Sequence, residues 1–335
     1  VSAPLKIGIL GASRIAAAAI VEPARTLGHK LHAVAARDRN RAEAFAAQHS
    51  VAAAYGSYSE LINDPEVDLI YNGLINIGHA KWNIAALQAG KYVLSEKPLT
   101  GNAQRSREVI DVARSSEKLL IEGFHYIHHP IHERMKQIVR SGELGAITDV
   151  EITLAIPSPP EADPRWEYDL AGGATMDLGC CVLDALRHFG NWVGHEPELI
   201  EAVPELRTEN VDAAMSARLQ FGSDIVGRCR RDMNASERVM TWTIRGSTGV
   251  VTSPAFAVPH MDARLLLEKP SGKQQEEFPE RTSYIFQLER FARLVGAGAP
   301  YPAHDLVGSE QTAQLVDRVY ELAKMPIRLG GKAYE

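Results

Sequence analysis

Over the first 123 residues, short apolar runs alternate with helical ones, and this alternation leaves few folds open. Leu5-Lys6-Ile7-Gly8-Ile9-Leu10 reads as a buried strand, and the Ala-rich run to about Leu27 reads as a helix. Leu31–Ala36 is a second strand, Val67–Asn72 the fourth strand-like run, Tyr92–Ser95 a further strand, and Leu119–Gly123 closes the half as the sixth. Helices are expected over Arg39–Gln48, from Tyr58, over about Ala80–Ala89, and over Ala103–Ser115. Gly90 is placed as a helix-terminating glycine just before Tyr92. Strands separated by helices at this spacing predict a doubly wound parallel sheet.

The first strand runs into Gly11-Ala12-Ser13-Arg14-Ile15-Ala16, a G-x-S-x-x-A variant of the dinucleotide-binding turn. Gly11 permits the tight turn, and the small Ser13 lets a pyrophosphate approach the backbone. Ala16 lets helix and strand pack closely, and the helix N-terminus faces the phosphates. Gly11, Ala12, Ser13, Arg14 and Ile15 are therefore cofactor-binding candidates. Serine at the second glycine position departs from the usual pattern; the strand before and the helix after support the reading. In NAD-binding enzymes an acidic residue near the end of the second strand grips the ribose. Here that place holds Ala36, followed by Arg37. Absence of an acid removes repulsion of a 2'-phosphate, and a guanidinium offers it a bidentate partner. NADP is favoured, and NAD stays open, because Arg37 could stack on adenine and Asp38 could reach the ribose.

Ligands of open parallel sheets bind outside the carboxyl ends of the strands. Glu96-Lys97-Pro98 follows the Tyr92–Ser95 strand, which puts Lys97 where cofactor and substrate could meet; the plain alternative is a solvated lysine in a turn. Asn72, Asn76 and His79 follow the preceding strand and could line the cofactor site, though His79 could be a local helix cap.

From Phe124 the pattern changes. Strand-like segments follow at Thr148–Ile156, Leu199–Val203, Asp212–Phe221, Ile225–Arg231, Val239–Arg245, Gly249–Thr252 and Leu265–Glu268, many alternating apolar and polar residues. That is the signature of an antiparallel sheet with one exposed face. A helix near Met176–Phe189 interrupts them, and helices over Tyr284–Val295 and Asp305–Ala323 end the sequence. The expected division is residues 1–123 for the nucleotide-binding domain and 124–335 for a substrate-binding and oligomerisation domain. His125, His128, His129 and His132 cluster in sequence, but Pro130 starts a helix that leaves only His132 firmly helical. With no HExxH or carboxylate triad beside them, no metal site is expected. The proline-rich piece from Pro157 to Pro164 reads as a loop near the substrate.

With 335 residues, 45% hydrophobic and 23% charged, the composition is that of an ordinary globular chain with room for two domains. A net charge of -6 without basic blocks argues against nucleic acid. No apolar run is long enough to span a membrane, and the start does not read as a signal peptide. Three cysteines without metal-type spacing point to a reducing, cytoplasmic setting.

Taken together, the glycine turn, Glu96-Lys97-Pro98 and Gly172-Gly173-Ala174-Thr175-Met176-Asp177-Leu178-Gly179 resemble, in order and spacing, the glucose–fructose oxidoreductase / inositol dehydrogenase (Gfo/Idh/MocA) family. The resemblance covers essentially the whole chain. Phe124-His125-Tyr126 with His129-Pro130 is most similar to the branch of trans-1,2-dihydrobenzene-1,2-diol dehydrogenase and NADP-dependent D-xylose dehydrogenase. The resemblance implies a Rossmann domain, a C-terminal α/β domain with an open, mainly antiparallel sheet, and a nicotinamide cofactor. It also implies a sugar, polyol or cyclic diol substrate, and a homodimer or homotetramer paired through the open sheet. Lys97 would be the acid/base, Glu96 and Lys97 would border the cofactor, and the Pro98 peptide would be cis. A free lysine has a pKa far too high for a base at neutral pH, and desolvation and the cationic ring of the oxidised cofactor would both depress it.

The family's Asp-x-Gly-x-(His or Tyr) element reads Asp177-Leu178-Gly179-Cys180-Cys181, so Cys181 is the catalytic candidate standing where a proton-transfer imidazole or phenol is expected; a thiol can in principle carry that proton. Three readings remain open. Lys97 manages with Asp177, another group such as His125, Tyr126 or Asp184 has taken over, or the chain is a dinucleotide-binding sensor with impaired catalysis. Arg165, Trp166 and Tyr168 could frame the substrate, with core packing the alternative for Trp166. Asp177 and Asp184 could contact substrate hydroxyls; Asp184 could equally be a helix-surface charge and Cys181 a small buried residue.

Overall fold

The computed structural model describes residues 3–298 and 303–328. Packing divides them into two compact units. The first holds residues up to His125 together with those of Tyr284–Glu310, and the second holds Tyr126–Ser283 and the residues from Gln311 onward.

In the first unit the described residues form a six-stranded parallel sheet of β1 (Lys6–Leu10), β2 (Lys30–Ala35), β3 (Ala53–Tyr55), β4 (Leu69–Asn72), β5 (Tyr92–Ser95) and β6 (Leu120–Glu122). Their order is β3-β2-β1-β4-β5-β6. Successive residues of each strand face opposite sides, and both sides are covered. Ile7, Ile9, Val34, Leu69, Tyr71 and Leu94 join one buried cluster with the helices over residues 14–27 and Arg39–His49. Leu10, Ala33, Ala35, Ile70 and Val93 join another with the helices Tyr58–Ile62, Asn76–Gln88 and Ala103–Ser116. Double coverage is why these strands are continuous apolar runs. The order reverses between β1 and β4, so their carboxyl ends, Leu10 and Asn72, lie side by side at the switch point. The helix Ser283–Gly296 returns to this unit through Tyr284, Leu288, Phe291 and Ala292, an i, i+4, i+7, i+8 stripe in the first cluster.

In the second unit the described residues form an eight-stranded sheet of β7 (Ile147–Pro157), β8 (Pro197–Thr208), β9 (Val211–Phe221), β10 (Ile225–Ala235), β11 (Val239–Gly246), β12 (Gly249–Ser253), β13 (Arg264–Lys269) and β14 (Gly272–Glu277). The order is β14-β13-β12-β11-β7-β10-β9-β8, and only the β7–β10 pairing is parallel. The helix over residues 175–193 packs on β7, β8 and β10, burying Val182, Leu183, Leu186, Phe189 and Trp192. Elsewhere on the sheet β8 leaves Val203 and Leu206 each 53% exposed.

Three features differ from the sequence expectation. The helix placed at Ala80 begins at Asn76, because its N-cap, Ile75, supplies no capping side chain and so no sequence signal. The third strand is the three-residue Ala53–Tyr55, too short to show periodicity. β14 is entirely polar after its glycine; it is held by register with β13 and by Arg134, which donates from Nη2 to Glu276 at 2.7 Å. No helix among the described residues is long and apolar enough to cross a membrane.

Candidate active site

The glycine turn sits at the switch point. Gly11 has φ +96°, and a Cβ there would lie 3.1 Å from the Gly73 carbonyl, so only glycine fits. Its N–H donates to Ala35 O at 2.9 Å, tying the turn to β2. Ser13 precedes the helix that starts at Arg14; its hydroxyl is buried and has no partner in the protein. Ala12 is half-buried, and Arg14 and Ile15 are exposed. Arg37 is exposed after the buried Ala36. The Asp38 carboxylate accepts from Asn40 N–H at 2.9 Å as the N-cap of the following helix. Arg41, which sequence reading missed, reaches back to Ala12 O at 3.4 Å. A glycine cradle, an unpartnered serine hydroxyl, a helix N-terminus and exposed arginines fit a phosphorylated dinucleotide.

Beyond β5 the chain is fixed on both sides of Lys97. Glu96 N–H donates to Asn72 O at 2.9 Å, and its carboxylate accepts from Tyr71 OH at 3.0 Å. Burial, and then the Glu96 charge, push the Tyr71 phenol well above its ordinary value, so it stays a donor. The Lys97–Pro98 peptide is cis. Pro98 O pairs with Nδ1 of the buried His79 at 2.7 Å, while His79 Nε2 meets Leu74 O at 3.0 Å. Burial pushes that imidazole down despite the two carbonyls. Leu99 N–H donates to Glu122 at 2.7 Å. Gly123 packs tightly, since a Cβ would lie 3.0 Å from Ser95 O and 3.3 Å from Glu96 Cα. Lys97 itself is half-buried. Asn72 is fully buried and bridges Asn83 at 2.8 Å and His79 O at 3.3 Å, so its amide organises the strand ends. Asn76 is the first residue of its helix. His125 lies against Tyr284, ring centroids 3.8 Å apart. Tyr71, Asn83, Glu122 and Tyr284 had no local signal: their partners are distant in sequence.

In the second unit Asp177 and Cys181 lie on one helix, which opens with a π-helical turn over Thr175–Gly179. Asp177 accepts from Arg165 Nη1 at 3.3 Å. Arg165 is in turn held by both Asp163 oxygens, at 2.9 Å each, a residue that sequence reading passed over. Trp166 is 5% exposed, donates to Pro159 O at 3.4 Å and carries Arg207 over its face: it packs the loop. Cys181 is half-buried. Tyr126 OH donates to Asp184 at 2.6 Å, and Asp184 also accepts from Arg187 at 2.8 Å and Thr312 at 3.2 Å. Asp184 is thus no helix-surface charge but 2% exposed and internally bonded. Burial opposes its ionisation, but His188, Arg187 and these hydrogen bonds outweigh it and hold the carboxyl below its usual value. Burial and the Asp184 charge push the Tyr126 phenol well up. Of the histidines, His129 caps its helix and His132 packs among Trp192 and Trp242.

The oxidoreductase family model with an NAD-binding Rossmann fold matches residues 5–124, and the Gfo/Idh/MocA C-terminal domain matches residues 132–252. The chain is 33% identical over 323 residues to a D-xylose 1-dehydrogenase (NADP(+)) of Haloferax volcanii, covering 96% of this chain and 98% of that one. The chain belongs to the Gfo/Idh/MocA oxidoreductase family. This family member is also 29% identical over 306 residues to a trans-1,2-dihydrobenzene-1,2-diol dehydrogenase of Xenopus laevis, covering 88% of this chain and 89% of that one. Among solved structures it resembles a 3-ketoreductase from Actinomadura kijaniata in complex with NADP and TDP-benzene. The TM-score is 0.85 at 27% identity, over 95% of this chain and 97% of that one. The expected fold, a parallel nucleotide-binding sheet with a second, mainly antiparallel sheet, is the one found.

Proposed function

We propose that this family member is an NADP-dependent dehydrogenase or reductase acting on a hydroxyl or carbonyl of a sugar, polyol or cyclic diol. The observation that carries the reading is the Glu96-Lys97-Pro98 turn. Its two outer residues are pinned by Tyr71, Asn72 and His79, which sets the half-buried Lys97 between them at the carboxyl end of β5. Residues 1–123 hold the cofactor and 124–335 bind substrate and pair copies of the chain into a dimer or tetramer.

Gly11, Ala12, Ser13, Arg14 and Ile15 bind the pyrophosphate, and Arg37, joined by Arg41, binds the 2'-phosphate. NADP is supported by the NADP(+)-dependent D-xylose dehydrogenase and by the 3-ketoreductase structure in complex with NADP. Asn72 and His79 hold the strand ends that Asn76, Glu96 and Lys97 extend towards the nicotinamide half. When bound, the nicotinamide accepts or donates the hydride. Lys97 takes the hydroxyl proton in oxidation and returns it to the carbonyl oxygen in reduction. Such a positioned group contributes roughly 10²–10⁴-fold in rate. Asp177, steadied by Arg165, accepts a hydrogen bond from a substrate hydroxyl. Arg165 is already engaged by the Asp163 carboxylate, which favours a neutral polyol over an anionic substrate. His125 and Tyr126 shape the substrate side, Trp166 and Asp184 pack behind it, and Cys181 occupies the place of the larger family residue without filling its space.

The test is NADPH formation from NADP+ with D-xylose, other aldoses, inositols and a cyclic trans-diol. Turnover of any of these, with NADP+ preferred to NAD+, is the expected result. A second reading, reduction of a nucleotide-linked keto sugar, is favoured by 31% identity over 301 residues to a dTDP-3,4-didehydro-2,6-dideoxy-alpha-D-glucose 3-reductase of Saccharopolyspora spinosa. It predicts turnover of the dTDP-sugar and none of the free sugars. Tight NADPH binding without turnover of either class points instead to a cofactor sensor.

A further inference from the structure

We infer that Asp212 is the positioning residue for Asp177: a carboxylate from β9 that caps the helix on which Asp177 is presented. The inference rests on the proposed reading of Asp177 as acceptor of a substrate hydroxyl.

A helix begins with unsatisfied N–H groups, which a Ser, Thr, Asp or Asn just before it normally caps. The helix carrying Asp177 is preceded by Gly172, Gly173 and Ala174, none of which has a side chain able to cap. Asp212 does so from elsewhere, its Oδ2 accepting Thr175 N–H at 2.7 Å. Gly173 stands at φ +120°, and a Cβ there would collide with Asp212 Oδ1, so the glycine admits the carboxylate. Arg328 brackets the glycine by donating from Nε to Gly172 O at 3.0 Å and from Nη2 to Asp212 at 3.2 Å. Tyr320 OH adds a third donor to Asp212 at 3.1 Å. Further along, Arg231 donates to Thr175 Oγ1 at 3.2 Å and lies beneath Gly179, where a Cβ would sit 3.2 Å from its Nε.

The backbone from 172 to 179 is thereby fixed at Gly172 O, Thr175 N, Thr175 Oγ1 and Gly179. Asp177 N–H donates to Gly173 O at 3.0 Å, so Asp177 takes its direction from the capped turn. That turn is π-helical, a form that occurs mostly as single turns within α-helices and is frequent at functional sites. Asp212, Arg231, Arg328 and Tyr320 are themselves at most 1% exposed, so they act through the turn and not on the substrate.

The experiment compares Asp212→Asn, Tyr320→Phe and Asp177→Asn in the full-length enzyme. The reaction is NADP+ with D-xylose, or with the panel member that the wild type oxidises fastest. Circular dichroism and NADPH titration verify folding and cofactor binding. A misplacement on the order of 1 Å costs about 10²-fold. Asp212→Asn is accordingly expected to lower kcat at least ~10-fold, with the NADPH Kd unchanged and KM moved less than kcat. Tyr320→Phe, which keeps the cap but loosens it, should lower kcat ~3–10-fold, and it decides alone if Asp212→Asn does not fold. Folded variants with kcat within about twofold of wild type, beside an Asp177→Asn that loses ~10²-fold or more, overturn the positioning role and leave the reading of Asp177 intact. An Asp177→Asn enzyme of full activity overturns that reading, and the inference with it.

Discussion

Asp184 offers the sharpest separation of a structural from a substrate-binding role. It is 2% exposed and accepts from Tyr126 at 2.6 Å, Arg187 at 2.8 Å and Thr312 at 3.2 Å. Replacement by alanine leaves the Arg187 guanidinium, 9% exposed in its side chain, without this carboxylate. Removing one member of a buried ion pair costs about 3–5 kcal/mol. For a unit of this size each kcal/mol moves the melting temperature by roughly 2–4 °C, so Asp184→Ala should lower it by about 6–20 °C. Because the folded carboxyl titrates below its ordinary value, its contribution is present above the unfolded pKa and fades as pH falls through the folded one. The gap between wild type and variant, followed by calorimetry, should therefore narrow below pH ~4. A loss under ~1 kcal/mol together with a raised KM would refute this reasoning and place the carboxylate against the substrate.

Arg37→Ala and Arg41→Ala should each weaken NADPH binding about tenfold or more while leaving NADH nearly unchanged, since each removes a charge-assisted partner of the 2'-phosphate; fluorescence titration reads both constants. Equal losses for the two cofactors would contradict the assignment. Glu143 is held down to about 2 from 4.5, first by its hydrogen bond to Arg134 and then, against burial, by Lys269. Its stabilisation is present above pH ~4.5 and lost as pH falls towards 2, so Glu143→Gln should flatten the acid limb of the melting-temperature profile. Gly123→Ala should lower both stability and kcat, because its methyl group would press on the backbone of Ser95 and Glu96; a variant indistinguishable in thermal melts and turnover would show that the packing there yields freely.

What the sequence made legible was local. β1 and the glycine turn announced themselves because a buried strand, a positive-φ glycine and a helix start follow one another within a dozen residues. The alternation of the second half marked most of its strands because one sheet face is buried. β14 was hidden because its cohesion comes from pairing and from Arg134, 142 residues away from Glu276 in the chain. The same distance hid the supports of the candidate site. Tyr71 and Glu96 are 25 residues apart, His79 and Pro98 are 19 apart, and Thr175 and its cap Asp212 are 37 apart. Sequence patterns report which side chains carry chemistry; they do not report which distant groups hold them still. Trp166 shows the converse. An aromatic ring in a substrate-side loop invites a binding role, yet its burial and its bond to Pro159 give it a packing task.

The most direct test of the account is single-turnover hydride transfer by wild type and Lys97→Met, each first titrated with NADPH. Both proteins should bind NADPH with similar affinity, and only the wild type should exchange hydride with its sugar, polyol or diol substrate at a measurable rate. Equal rates for the two proteins would contradict the assignment of Lys97 as the acid/base of the reaction.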